Sequence, residues 1–397
     1  MRVFLDALSR VPTVSVGTQA LIIGSMEMVE RQFPGTEFVM LSSNEKVDKW
    51  FLNREPFRVR LVRRSSSQSG TIRDILSVVR GVDSIVSAWG DGYITSPVYR
   101  LANKTLFLRS GRRPAILFPS SLGPFPDNWK RVVAKFGLSA FDLLMARDTI
   151  TFEYLRNLGL SGARLVPDTA FILEPADDDR VNEIVRSEGI PVDERFIGVN
   201  VSQLLRVLFS RRGEDYGLFV AELCEFLRES FGLRVLLIPH QIYPSWFVFN
   251  KTHNRASFDG DDRHAISEVM ESLRDRGIAL PVMGEYSARE YKGLIGRCSM
   301  VVGGRMHSII AALSSGVPSV LIQYSHKSPG VMKMLGMDKC LWPYESRREE
   351  LMKTLEYVWS SQKDLRKLIQ ERVVALKREV WLGSELMAQC VENYRQG

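Results

Sequence analysis

The chain has 397 residues, 45% hydrophobic and 10% aromatic, too apolar for a disordered tail and long enough for two domains with their own cores. Its formal charge is +7, 53 basic against 46 acidic residues, and without a compact basic block it points to no nucleic acid; a small anion or a membrane surface also fits it. Four scattered cysteines and the absence of HExxH support neither a disulfide framework nor a metal site, and no run approaches the roughly 18 apolar residues of a membrane span, so a cytoplasmic location is expected.

Val3-Phe4-Leu5 reads as an opening strand, followed by a Ser/Thr/Gly turn at 13–18 and a helical period over 19–31. Phe38-Val39-Met40-Leu41 and residues 59–62 are further strands, and 65–70 reads as a polar loop. The apolar run 83–88 ends in Trp89-Gly90-Asp91-Gly92-Tyr93, and 115–118 ends in Ser120-Ser121-Leu122-Gly123-Pro124-Phe125. A third run, 141–144, leads to Met145-Ala146-Arg147-Asp148, where Asp148 or Thr149 would cap a helix. Strands that finish in Gly- and Ser-rich loops ahead of helices describe α/β units with parallel sheets.

The same grammar restarts near residue 196. Phe196-Ile197-Gly198-Val199-Asn200 is a strand, 216–230 a helix, and 234–238 a strand that ends at Pro239-His240. After an irregular aromatic stretch at 245–262 come helices over 265–276, 287–295 and 305–314, with strands at 279–282, 299–302 and 319–322. Residues 346–380 form a charged amphipathic helical region without proline. The expected organisation is a Rossmann-like domain at 1–175 on the acceptor side and a second at 176–345 on the donor side. C-terminal helices at 346–397 would pack back across both or form a homo-oligomer. Two such halves facing a cleft give a glycosyltransferase-B-like fold, with ligands outside the carboxyl ends of the strands. GxGxxG and GxxxxGK[ST] are both absent, which removes the usual support for dinucleotide oxidation and P-loop chemistry.

The sharpest segment runs from Met300-Val301-Val302 into Gly303-Gly304-Arg305-Met306-His307-Ser308. Two glycines allow a tight strand-to-helix turn, and the helix start offers free N–H groups to an anion. Arg305 adds donors suited to carboxylate or phosphate, and His307 stands near that anion as a proton donor or acceptor. The local alternative is that His307 packs or caps and Arg305 pairs with a nearby Asp. Lys327, in the loop Tyr324-Ser325-His326-Lys327, can neutralise an anion or remain solvated. Arg147 is either an anion ligand or a domain-bridging ion-pair residue. Asp91 and Tyr93 suit a sugar hydroxyl and a sugar ring, though turn chemistry alone also predicts Gly-Asp-Gly. Gly17, Thr18 and Gln19 lie in a turn that can hold an acceptor, and Asn200 and His240 sit at strand ends with a plausible acceptor role.

In these loops, taken in order, the sequence resembles the polysaccharide pyruvyl transferase family. The likeness is carried by Trp89-Gly90-Asp91-Gly92, Ser121-Leu122-Gly123-Pro124-Phe125, Ala146-Arg147-Asp148, Pro167-Asp168-Thr169-Ala170-Phe171, Gly198-Val199-Asn200, Gly303-Gly304-Arg305-Met306-His307-Ser308 and Tyr324-Ser325-His326-Lys327. The resemblance implies phosphoenolpyruvate as co-substrate, no further cofactor, and transfer of its pyruvyl or enolpyruvyl group to a sugar with release of phosphate. It implies that Arg305 holds the donor's carboxylate or phosphate, that Lys327 adds a second positive group, and that His307 acts as acid or base; Gly303, Gly304, Ser308 and Arg147 complete the expected anion site on the reading of the turns themselves. Acceptors would be sugars of cell-surface glycans or of their lipid- or nucleotide-linked precursors. A lipid-linked acceptor would bring the protein to the inner face of the cytoplasmic membrane. Where many relatives carry an acidic Gly-Asp-Glu turn, this chain has Val16-Gly17-Thr18-Gln19, which leaves Asp91 to activate the acceptor. Two other readings stand beside this one. The first is a nucleotide-sugar glycosyltransferase using Pro239-His240 and Gly284-Glu285, and the second is a non-catalytic glycan-binding protein.

Overall fold

The computed structural model describes residues 1–7, 14–65, 67–90, 112–125, 127–246, 260–324 and 328–396. The chain divides into two compact units. The first is Met1–Thr13, Thr18–Ile172 and Val374–Gly397; the second is Val14–Gly17 and Leu173–Val373.

In the first unit the described strands are β1 (Arg2–Asp6), β2 (Glu37–Ser42), β3 (Arg58–Arg63), β4 (Ser84–Ser87), β5 (Ala115–Ser120), β6 (Leu143–Ala146) and β7 (Arg164–Leu165). They form one parallel sheet in the order β3-β2-β1-β4-β5-β6-β7. Parallel strands are covered on both faces, which is why β4 and β5 are buried at every residue. Arg58, Arg60 and Arg63 lie on β3, an edge strand whose charges discourage pairing with another sheet. Phe4, Val39, Leu41, Val79, Ile85, Leu117 and Leu138 belong to the core beneath.

The second unit repeats the plan with β8 (Phe196–Asn200), β9 (Arg234–Ile238), β10 (Ala279–Pro281), β11 (Cys298–Gly303), β12 (Ser319–Gln323) and β13 (Leu341–Pro343). Their order is β10-β9-β8-β11-β12-β13, again parallel throughout. Each sheet therefore reverses its winding once, between β1 and β4 and between β8 and β11. Open α/β sheets bind ligands outside the carboxyl ends of strands at such a reversal.

One local expectation changes. The stretch 65–70 is not all loop: the helix Gln68–Val79 starts inside it because the Ser67 side chain accepts the Gly70 N–H at 3.1 Å. The C-terminal region is two helices, Arg348–Ser360 and Gln362–Gln396, separated at Ser361. The chain leaves the second unit after Val373, within the latter helix. Cys224, Cys298, Cys340 and Cys390 are free thiols. Among the described residues no helix is long and apolar enough to cross a membrane.

Candidate functional site

The reversal point of the second sheet is built by three strand ends. Asn200 closes β8 opposite Gly303, the last residue of β11. A Cβ on Gly303 would fall 2.5 Å from the Asn200 Cβ, so only glycine admits this approach. The buried Asn200 side chain accepts the Arg305 N–H at 3.1 Å and donates to the Ile238 carbonyl at 3.0 Å, tying β8, β9 and the turn after β11 together. Its amide is thus engaged within the second unit.

Arg305 is the N-cap residue of the helix Met306–Ser314. Its Nη2 donates to Asp262 Oδ1 at 3.3 Å and to Gln241 Oε1 at 3.4 Å. Burial opposes the Arg305 charge, but the Asp262 carboxylate, with smaller help from Tyr324 and Tyr216, keeps the guanidinium pKa raised. The Arg305 Nε is buried with no hydrogen-bond partner among the described residues. Ser308 is buried, and its hydroxyl donates to the Arg305 carbonyl at 2.7 Å, so it braces the first helical turn.

Asp262 is the centre of this arrangement, and the sequence alone did not single it out. It is fully buried at the start of the helix Asp262–Ser272. Besides Arg305, its carboxylate accepts the backbone N–H of Gln203 at 2.8 Å, of His240 at 3.0 Å and of Gln241 at 2.8 Å. One carboxylate thus fixes the ends of β8 and β9 and the arginine after β11. The signal was hidden because Asp261, its neighbour in an acidic pair, already supplies the expected N-cap to Arg263.

His240 and His307 meet beside it with parallel rings, 6.5 Å between centroids and 7° between planes. Burial, then the charges of Arg305 and His307, holds the His240 pKa well below 6.5 and keeps the imidazole neutral. Its Nε2 is buried with no hydrogen-bond partner among the described residues. Gly17 passes next to both rings: a Cβ there would lie 2.6 Å from His307 Nδ1 and 2.9 Å from His240 Nε2. Val16 N–H donates to the His240 carbonyl at 2.9 Å, and Ile242 N–H to the Val14 carbonyl at 2.9 Å, which fastens this segment to the second unit. Gly17 therefore belongs with the histidines, whereas Thr18 and the buried Gln19 belong to the first unit. Gly304 is also crowded, with a Cβ position 2.5 Å from Leu205 Cδ1.

Arg147 sits in the first unit at the end of β6, only 1% exposed. It donates to Asp168 Oδ2 at 2.9 Å and to Ser121 Oγ at 2.7 Å. Ser121 donates in turn to Asp148 at 2.7 Å, and Asp148 caps the helix Thr149–Asn157 through the Thr151 N–H at 2.8 Å. The ion pair of Arg147 lies inside one unit, which corrects the domain-bridging alternative. Glu285 accepts the Ser245 N–H at 2.5 Å and faces Arg263 at 3.9 Å. Asp91, Tyr93, His326 and Lys327 lie outside the described residues.

The pattern described as polysaccharide pyruvyl transferase matches residues 17–326. The amylovoran biosynthesis protein AmsJ of Erwinia amylovora is 22% identical over 290 residues, 71% of this chain, and the match spans 66% of that relative's length. In fold the chain is similar to the UDP-GlcNAc 2-epimerase of Neisseria meningitidis bound to UDP-GlcNAc, with TM-score 0.63 and 9% identity over 99% of this chain and 100% of that one. It is also similar to Anabaena Alr3699/HepE in complex with UDP-glucose, with TM-score 0.61 and 11% identity over 100% and 99% of the two chains. These likenesses show a glycosyltransferase-B-like fold of two Rossmann-like units. With the match reaching from Gly17 through the Arg305 and His307 turn, the chain belongs to the polysaccharide pyruvyl transferase family.

Proposed function

We propose that the protein transfers the pyruvyl group of phosphoenolpyruvate to sugar hydroxyls of a cell-surface glycan or of its lipid- or nucleotide-linked precursor. The observation that carries this reading is the constellation at the reversal of the second sheet. A charged Arg305 held by Asp262, a neutral His240 and a parallel His307 gather at one helix start. A small donor bearing both carboxylate and phosphate suits that chemistry.

In this reading Arg305 and Lys327 balance the donor's charge, and His307 moves the proton. The donor's C3 methylene takes a proton and becomes a methyl group. C2 forms bonds to two sugar oxygens, its bond to the phosphate oxygen breaks, and phosphate leaves. The two hydroxyl protons balance the one gained at C3 and the one carried off by hydrogen phosphate. With a single hydroxyl as acceptor the C2–C3 double bond is restored and an enol ether results. Neither course needs a cofactor beyond phosphoenolpyruvate. In this reading Asp91 and Tyr93 would serve the acceptor sugar.

Incubation with phosphoenolpyruvate and a panel of free, nucleotide-linked and lipid-linked sugars tests the reading. Phosphate should appear in step with a mass gain of one pyruvyl group on an acceptor, and both should vanish in His307→Ala. Turnover of UDP-sugars with no phosphate released from phosphoenolpyruvate would replace it with a glycosyltransferase, a possibility favoured only by the fold neighbours that hold such ligands.

A further inference from the structure

We propose that the helix Asn128–Leu138 of the first unit docks the protein onto an anionic lipid surface. Its inner side is spent on the unit's own packing, with Ala134, Gly137 and Leu138 buried. On the outside Trp129, Val132 and Phe136 are 57%, 69% and 57% exposed. At 100° per residue these three fall within about 60° of one another, a single apolar stripe turned to solvent. Single exposed apolar residues are ordinary, but a Trp, a Val and a Phe aligned on one face are not.

The flanks of the stripe choose the partner. Lys135 lies about 60° beyond one edge of the stripe, Arg131 about 100° beyond the same edge and Lys130 about 100° beyond the other, and the helix itself contains no acidic residue. Its N-cap Asp127 is paired with Lys130, so a positive excess remains along the face. An apolar ridge with Trp and Phe, bordered by Lys and Arg, is the pattern of helices that lie in the interfacial layer of a bilayer. Trp favours that depth because its ring is apolar and its N–H is not. The basic flanks add attraction to anionic headgroups, which weakens as salt rises. A protein partner with an acidic groove would have to match this face residue by residue, whereas a bilayer does not.

The proposal is independent of the reaction assigned above. Co-sedimentation of the full chain with vesicles of equal parts phosphatidylglycerol and phosphatidylcholine tests it, with pure phosphatidylcholine as the comparison. The protein should bind the mixed vesicles, bind the neutral ones weakly, and release as salt is raised. Trp129→Ser/Phe136→Ser should lose about tenfold or more in binding. It should keep the Tm and the phosphate release measured with a soluble acceptor, because both side chains are exposed. Lys130→Gln/Arg131→Gln/Lys135→Gln should weaken binding to the mixed vesicles and flatten its salt dependence, a result that stands even if the first variant folds poorly. Equal binding of wild type and variants, or no binding of the wild type to anionic vesicles, overturns the proposal. So does a wild-type dimer that ignores vesicles and becomes monomeric in Trp129→Ser/Phe136→Ser, which would make this face a contact between copies.

Discussion

The imidazoles of His240 and His307 lie parallel, 6.5 Å apart at their centroids, and the backbone of Gly17 fills the space beside both. Gly17→Ala puts a methyl group 2.6 Å from His307 Nδ1 and 2.8 Å from its Cγ, inside any real contact distance. The His307 ring cannot swing clear at Cγ without leaving its partner. Displacement of about 1 Å at a reacting group costs on the order of a hundredfold in rate. Phosphate release by Gly17→Ala should therefore fall by about that factor, for an overpacking cost of about 1–3 kcal/mol in stability. Full activity in a folded Gly17→Ala protein would separate His307 from the chemistry.

His240 gives the molecule a pH signature of known sign. The folded pKa is depressed, chiefly by burial and then by Arg305 and His307, while the unfolded chain titrates near 6.5. Below that value the unfolded state binds the extra proton first, so stability is fully present above pH 6.5 and is lost as the pH falls toward the folded pKa. The slope from this group is at most about 1.4 kcal/mol per pH unit. Urea unfolding of wild type and His240→Gln between pH 7.5 and 5, roughly the window in which a free imidazole charges, checks it. The wild type should lose stability more steeply than the variant, and parallel curves would show that His240 is not held neutral.

The first unit carries its own test. Arg147 and Asp168 form an ion pair with 1% and 0% of their side chains exposed. Removing one member of such a pair strands a charge and costs about 3–5 kcal/mol. Arg147→Met should be destabilised by that amount in denaturant unfolding, and Arg147→Met/Asp168→Leu by distinctly less. A single variant as stable as wild type would mean that the pair contributes nothing.

Much of this molecule could be read along the chain, because parallel strands buried on both faces are short apolar runs and their ligand ends are Gly-rich. Phe196-Ile197-Gly198-Val199-Asn200 and the Gly303-Gly304-Arg305 turn show themselves in this way. What escaped depends on contacts between distant segments. Asp262 looks like one more cap in an acidic run, and only folding sets its carboxylate against Gln203, His240, Gln241 and Arg305. Gly17 reads as part of a turn that can hold an acceptor or simply start a helix, and nothing along the chain shows that an isolated bridge from Ser15 to Gln241 carries its segment to the histidines. Arg147 was legible as a charge at a strand end, but its partner stands 21 residues away on the far side of a helix.

Asp262 and Arg305 should behave as one energetic unit. Asp262→Asn keeps the shape but turns an NH2 toward N–H donors at whichever oxygen it replaces, either Gln203 and Arg305 or His240 and Gln241. It also leaves the guanidinium without its carboxylate. The expected cost is about 3–5 kcal/mol, with Arg305 and His240 released from their positions. Arg305→Met alone leaves Asp262 with its three backbone donors and should cost less. If the two groups hold each other, Asp262→Asn/Arg305→Met is less destabilised than the sum of the singles by at least about 1 kcal/mol. Urea unfolding of the four proteins measures that coupling. Asp262→Glu, which retains the charge on a longer stem, should recover part of the phosphoenolpyruvate KM that Asp262→Asn loses. Strict additivity in the cycle would show that the arginine is positioned by something other than this carboxylate.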